Sequence, residues 1–503
     1  MADKELYEPL RYDRAFGRSR SRSACFVASV ATFVAATLAI VLAVVWVEQL
    51  PCDSSSSSSK QQTQFSMEWI RFFHISDVHL DPEYDETISA ATFCRNSTGS
   101  MPADFSAPYG RVGCDSPNKL VKNVFHAMKN ASKTDQPDFI VVTGDMSAHH
   151  LGSSTGNNVL YAITVATEEL QKTFPSTYVF PCLGNNDVPE DYYIPPQPNA
   201  TEWYEKLLDL WKSTIFCSSC QGRVKHPPVN EREFRQTFLK GGYYKAQISP
   251  KMILLVLNTI YYSTKATVRN QVFLETAQGQ LDWLKSELQK ASVNGHKVII
   301  SGHIPPGFDP YSLSTYWYDD YTTFYVKYTS EVYPHVIGGQ LYGHLHKDDF
   351  RFFNGNSKEP SVQKSSAMLL TASLTPVYRN NPTFRLMYVD DDKGTFTDYK
   401  QWYLSLTTAD EFMVTNWLYE YTFSEAFPSA LGQVINPQRI LDIANGIISK
   451  TKESTWLQYI WHRQVEYLPD EKTFSRNRLY CCLRCSNDTE FDQCKQSLPF
   501  IPG

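Results

Sequence analysis

Net charge is scarce in this sequence: 53 acidic residues nearly balance 47 basic ones, leaving a formal −6. No run of lysine and arginine forms a basic patch, so nucleic-acid binding is not expected. No internal repeat is apparent. Histidine is also scarce, with 12 in 503 residues, so the ones that fall close together stand out. Long apolar runs are absent with one exception. Residues 24–47, ACFVASVATFVAATLAIVLAVVWV, carry no charge. A helix of that length spans the roughly 30 Å hydrocarbon layer of a membrane. Lys4, Arg11, Arg14, Arg18, Arg20 and Arg22 precede it, and only Lys60 follows within a comparable distance. Positive charge stays in the cytosol, which places the N-terminus inside and the rest of the chain outside or in a lumen. The run is too long, and its basic leader too extended, for a cleaved signal peptide. The expected organisation begins with a cytosolic tail (1–23), a single-pass signal anchor (24–47) and a serine-rich stalk (48–67). Tyr7-Glu8-Pro9-Leu10 resembles a tyrosine-based signal read by sorting adaptors, so an adaptor is an expected partner.

Cysteines and sequons agree with a lumenal domain. Cys25 lies in the apolar run, and the other ten cysteines lie beyond it. Asn96, Asn130, Asn199 and Asn487 each begin an Asn-x-Ser/Thr sequon after the span. Clustered cysteines in an oxidising compartment read as disulfides. Cys94 and Cys114 share one connection containing glycine and proline, and a bridge there is expected. Closing a loop of that length stabilises by about 3 kcal/mol in the chain-entropy model.

From about residue 68 the chain alternates short apolar runs with helical stretches. Strands are predicted over 70–76, 139–144, 178–184, 252–258, 297–302, 336–343, 368–373 and 384–390. Helices are predicted over 118–133, 157–173 and 277–292; in the last, Leu281, Leu284 and Leu288 share one face. The expectation is an α/β domain over 68–405, followed by a small helical, cysteine-rich C-terminal subdomain over 406–503 that includes helices at 416–423 and 437–450.

Five strand ends carry potential metal ligands: Asp77-Val78-His79, Gly144-Asp145, Gly184-Asn185-Asn186-Asp187, Gly302-His303 and Gly343-His344-Leu345-His346. Ligands bind at the carboxyl ends of strands in α/β sheets. Carboxylates, imidazoles and an amide oxygen suit two divalent ions, which clamp a phosphoryl oxygen and activate water. No thiolate takes part, so Zn, Fe, Mn or Co is expected, with Zn the first choice.

The order of these motifs resembles the calcineurin-like metallophosphoesterases. The stretches Gly279–Leu284, Ser301–Gly307, Asn381–Arg385 and Trp417–Tyr421 are similar to the branch of acid-sphingomyelinase-like phosphodiesterases and vacuolar endopolyphosphatases. The resemblance covers about residues 70 to 495. It implies a sandwich of two packed sheets flanked by helices. It also implies that Asp77, His79, Asp145 and His346 hold one ion, that Asp145, Asn185, His303 and His344 hold the other, and that Asp145 bridges. His149, four residues after Asp145, corresponds to the histidine that protonates the leaving group. Most relatives carry histidine directly after the metal-binding asparagine, where this chain has Asn186. The Gly-Asn-Asn-Asp version resembles the endopolyphosphatases. The first expectation is therefore hydrolysis of polyphosphate or another phosphoanhydride. The alternative is a sphingomyelin or nucleotide phosphodiesterase. A rival of another class is a catalytically silent lumenal receptor for phosphate compounds. A vacuole, lysosome or related acidic organelle is the expected location.

Overall fold

Short runs with every side chain buried, such as Phe139–Val142 and Tyr178–Pro181, form strands covered on both faces. The computed structural model describes residues 69–498 apart from 196–197, 221–223, 225, 267, 356–361, 430–431, 433 and 468–474. The expected tail, span and stalk, with Tyr7–Leu10, lie outside the described residues. Among the described residues no helix is long and apolar enough to cross a membrane.

The strands are β1 (Trp69–Ile75), β2 (Phe139–Val142), β3 (Tyr178–Pro181), β4 (Tyr244–Ser249), β5 (Met252–Val256), β6 (Lys297–Ser301), β7 (Ile337–Tyr342), β8 (Asp349–Asn354), β9 (Ser365–Leu370), β10 (Thr383–Asp390), β11 (Thr395–Leu404) and β12 (Trp417–Thr422). They form two six-stranded sheets, ordered β12-β11-β10-β1-β2-β3 and β4-β5-β6-β7-β9-β8. β1, β2 and β3 run parallel, as do β5, β6, β7 and β9. The carboxyl ends of β1–β3 and of β6–β7 meet, and the candidate ligands follow those ends.

Helices connect the parallel strands and cover the sheets. Asn118–Ala131 buries Leu120, Val121, Val124, Phe125 and Met128, a spacing that keeps them on one face. The helix predicted over 277–292 extends over Gln271–Asn294. The side chain of Asn270 caps its first turn, and Gly295 ends it at φ +68°.

The chain beyond 405 corrects one expectation. The segment expected to be helical at 416–423 is β12, paired antiparallel with the edge of β11. Trp417, Tyr419, Tyr421 and Thr422 suit a pleated surface, and β11 offers an open hydrogen-bonding edge. The C-terminal segment is therefore not wholly helical: it completes the first sheet before the helices Pro437–Ile447, Glu453–Arg463, Arg476–Arg484 and Asp488–Ser497. Its anchoring to the second sheet is aromatic, with Tyr459 5.5 Å from the ring of Phe350, and polar as well. Tyr459 donates to Asp349 at 2.8 Å, and Arg463 pairs with the same buried carboxylate at 3.3 Å. Removing one partner of such a buried pair costs about 3–5 kcal/mol.

Cys94–Cys114 is bonded, as expected, and so are Cys217–Cys220 and Cys481–Cys494. Cys182, Cys482 and Cys485 are buried thiols.

Candidate metal centre

Asp77 and His79 follow β1, Asp145 follows β2 and Asn185 follows β3. His303 follows β6, and His344 and His346 follow β7. All are buried except His344, which is half-buried. Five of the seven hold the left-handed backbone that non-glycine residues rarely adopt: Asp77 (φ 52°), His79 (44°), Asp145 (54°), His344 (69°) and His346 (61°). Each such residue costs about 1–3 kcal/mol and persists where the surroundings enforce it. Two glycines allow the loops to close this tightly. A Cβ on Gly184 would lie 2.0 Å from Asp145 Oδ1, and one on Gly343 would lie 1.9 Å from Ser76 Oγ.

The donor atoms form two sets that share Asp145 Oδ2. In the first, His346 Nε2 is 3.2 Å from both His79 Nε2 and Asp77 Oδ1, and His79 Nε2 is 3.4 Å from Asp145 Oδ2. In the second, His303 Nε2 is 3.2 Å from Asp145 Oδ2, 3.1 Å from Asn185 Oδ1 and 3.2 Å from His344 Nδ1. Ligands about 2.0–2.1 Å from a tetrahedral ion lie about 3.3 Å apart. The spacings and the donor chemistry therefore fit two divalent ions, and these residues could hold both.

The surroundings fix the donors. The other ring nitrogens of His303 and His79 face the carbonyls of Thr143 (2.7 Å) and Ser147 (3.0 Å). A proton there leaves each Nε2 lone pair for a metal. Asn185 donates its amide nitrogen to Asp191 at 2.8 Å, which turns its oxygen toward His303. Asp187 accepts the backbone N–H groups of Met146, Ser147 and Gly184, tying the β2 and β3 loops together. Burial alone would lower His79 and His303. Asp77 and Asp145 outweigh it at His79, and Asp145 outweighs it at His303, so both rings are pulled up to about 9. Burial pushes His346 down to about 4. Although burial opposes it, His346 holds the Asp77 carboxyl well below the usual carboxylate range.

His149 stacks on His79 with ring centroids 4.1 Å apart. Asp115 holds it at both ends: His149 Nδ1 is 3.0 Å from Oδ1, and the backbone N–H donates to Oδ2 at 2.8 Å. Its Nε2 lies 3.4 Å from the hydroxyl of Tyr378, an exposed tyrosine at the site's edge. Lys347, buried behind His346, donates to the carbonyls of Tyr378 (2.7 Å) and Arg379 (3.0 Å) and to Gln464 (2.8 Å), which secures that edge. Asn186 gives its backbone N–H to Asp145 Oδ1 (2.8 Å) and its side-chain amide to Oδ2 (2.9 Å).

Sequence reasoning did not assign Asp115, Asp187, Asp191 or Tyr378. Asp187 stands inside the Gly-Asn-Asn-Asp motif, so a signal was present. Asp115 follows a disulfide cysteine, and nothing in its neighbours marks it as the partner of a histidine 34 residues away.

The family model described as calcineurin-like phosphoesterase matches residues 70–348, which include all seven candidate ligands. The chain belongs to the calcineurin-like phosphoesterase family. It is a metal-dependent phosphoesterase. The rat cyclic GMP-AMP phosphodiesterase SMPDL3A is 31% identical over 71% of this chain and 76% of its own length. The mouse acid sphingomyelinase-like phosphodiesterase 3b is 31% identical over 71% and 75%. Sphingomyelinase phosphodiesterase D of Dictyostelium discoideum is 26% identical over 84% and 94%.

Proposed function

We propose that this protein hydrolyses phosphodiesters of the sphingomyelin or nucleotide kind. We also propose that Asp77, His79, Asp145 and His346 hold one divalent ion, and that Asp145, Asn185, His303 and His344 hold the other, with zinc the first choice. The observation that carries the reading is the Asp115–His149 pair. An alkoxide leaves poorly as an anion and needs a proton, which an amide at 186 does not deliver. His149 stacks on one proposed ligand, and its Nε2 faces the edge of the site. Its other nitrogen is fixed by a carboxylate that His149 itself, against burial, holds well below the usual carboxylate range.

When bound, two divalent ions supply electrostatic stabilisation of the phosphoryl group and an activated water. The side chains do the rest. Asp145 keeps the two donor sets in register through one oxygen. Asp191 orients the Asn185 amide, and His149 gives its Nε2 proton to the departing oxygen.

The preference for phosphoanhydrides expected from Asn186 alone loses ground, because Asp115–His149 supplies an acid that the Gly-Asn-Asn-Asp motif lacks. The similar proteins named as phosphodiesterases support the same side. For the rest of the chain we propose a type II membrane protein with its catalytic domain in an acidic lumen. The exposed positions of Asn96, Asn130 and Asn199 are compatible with glycans there. Assaying the metal-loaded full chain on sphingomyelin, a dinucleotide and polyphosphate tests the substrate class. Release of phosphate from polyphosphate with no diester cleavage would reject it.

A further inference from the structure

The loop over 372–381 touches both ends of the Asp115–His149 pair. Thr375 donates its hydroxyl to Asp115 Oδ1 at 3.4 Å. Three residues on, Tyr378 sets its ring edge-on against His149, with centroids 5.6 Å apart, and against His346 at 4.7 Å. Its hydroxyl lies 3.4 Å from His149 Nε2, the nitrogen proposed to protonate the departing oxygen. Tyr378 is 39% exposed, so burial holds its ring only in part, and its place depends on the backbone beneath it.

That backbone is strained and held from inside. Arg379 is left-handed at φ 60°, and its N–H closes a turn on the Pro376 carbonyl at 3.2 Å. The carbonyls of Tyr378 and Arg379 both turn inward to one amine, Lys347 Nζ, at 2.7 and 3.0 Å. A third oxygen, Oε1 of Gln464, meets that nitrogen at 2.8 Å. A lysine ammonium carries three donors and no acceptor, so the three oxygens match it. Lys347 is 1% exposed, and among the described residues no carboxylate pairs with it. Gln464 follows the helix Glu453–Arg463, so this partner comes from the C-terminal segment. The segment meets the loop again at the next residue. The Val465 carbonyl accepts from the Asn381 side chain at 2.9 Å, and its buried side chain packs with Ala372 and Tyr403. Val465 (φ 50°) and Glu466 (53°) are themselves left-handed, backbone that persists where contacts enforce it.

We propose that Lys347 is a positioning residue for the reaction: it pins the 372–381 loop to Gln464, and through that strut the C-terminal segment holds Tyr378 against His149. Lys347 acts through Tyr378 and not on the reacting atoms. The proposal rests on the phosphodiesterase reading and extends its site into the C-terminal segment. Lys347→Met keeps the length of the side chain and removes its donors; Gln464→Leu removes the other end of the strut. In the metal-loaded full chain each should lower kcat for an alkyl phosphodiester with KM little changed. Misplacement by about 1 Å costs up to about 100-fold, which bounds the loss in Lys347→Met. A p-nitrophenyl diester, whose leaving group needs no proton, should slow much less. Tyr378→Ala should show the same split, and adding Lys347→Met to it should cost little more, because the two residues act in series. Hydrogen exchange reads the strut without turnover: the amides of residues 377–381 should exchange faster in Lys347→Met, while those of β5 and β6 keep their natural rates. If Lys347→Met does not fold, Gln464→Leu carries the same comparisons. Equal slowing of both substrates, losses that multiply in the double variant, or unchanged exchange over 377–381 would overturn the strut. No turnover of either diester by the natural protein defeats the phosphodiesterase reading. Turnover by the natural protein together with any of those three results defeats the strut alone.

Discussion

The two sides of Asn186 are built on different plans. On one side, seven side chains from five strand ends converge, five of them on strained backbone, and neighbours such as Asp191 and the Thr143 carbonyl aim Asn185 and His303. On the other, two connecting loops enclose a cavity with exposed carboxylates at Glu190 and Asp191. The donor set of the first side fits cations, whereas the second presents carboxylates on loops. Residues placed on sheet ends and residues placed on loops can vary separately, and perturbing each side in turn measures that separation.

The largest effect is expected at the shared ligand. Asp145→Asn removes the charge common to both donor sets. Loss of outer-shell partners alone costs about 10–100-fold, so this variant should lose more than about 100-fold in activity. Metal analysis should find fewer than two ions per chain. Full occupancy with near-normal turnover would break the shared-ligand assignment.

The next effect depends on the leaving group. His149→Gln should slow cleavage of an alkyl diester by about 10²–10⁴-fold, the usual contribution of general acid catalysis. A p-nitrophenyl diester, whose leaving group needs no proton, should slow much less. Asp115→Asn should act in the same direction and more weakly, and should move the alkaline limb of the pH–rate profile, which reports loss of the acid's proton. Equal losses on both substrates would assign His149 a structural role.

A smaller, graded effect is expected from pH. In the metal-free protein His79 and His303 titrate at about 9, so below that pH both rings carry a proton that an incoming ion must displace. Metal affinity should therefore rise with pH up to about 9, by about tenfold per unit for each proton displaced. Competition with a chelator across pH 5–9 measures the slope. A flat profile would contradict the charge coupling between these rings and the two aspartates.

The metal side was legible in the sequence because the ligands follow the ends of apolar runs, and Asp145, Asn185, His303 and His344 each come directly after a glycine. Gly184 and Gly343 are there because no Cβ fits against Asp145 and Ser76. Most of the parallel strands were legible for a similar reason: runs such as Phe139–Val142 are buried on both faces. β12 was not, because its aromatic spacing also fits a helix and only the open edge of β11 decides the matter. Asp115 and the cavity wall were hidden more deeply. Their roles arise from loops meeting across 34 or more residues, and Glu190 reads in isolation as a solvated surface charge.

The central claim is that two ions and the Asp115–His149 pair make this chain a phosphodiesterase. The most direct test loads the purified full-length protein with zinc, counts bound ions, and measures cleavage of a natural alkyl phosphodiester beside phosphate release from polyphosphate. The account predicts two ions per chain and a faster rate on the diester. Two bound ions with polyphosphate cleaved and every diester left intact would contradict it.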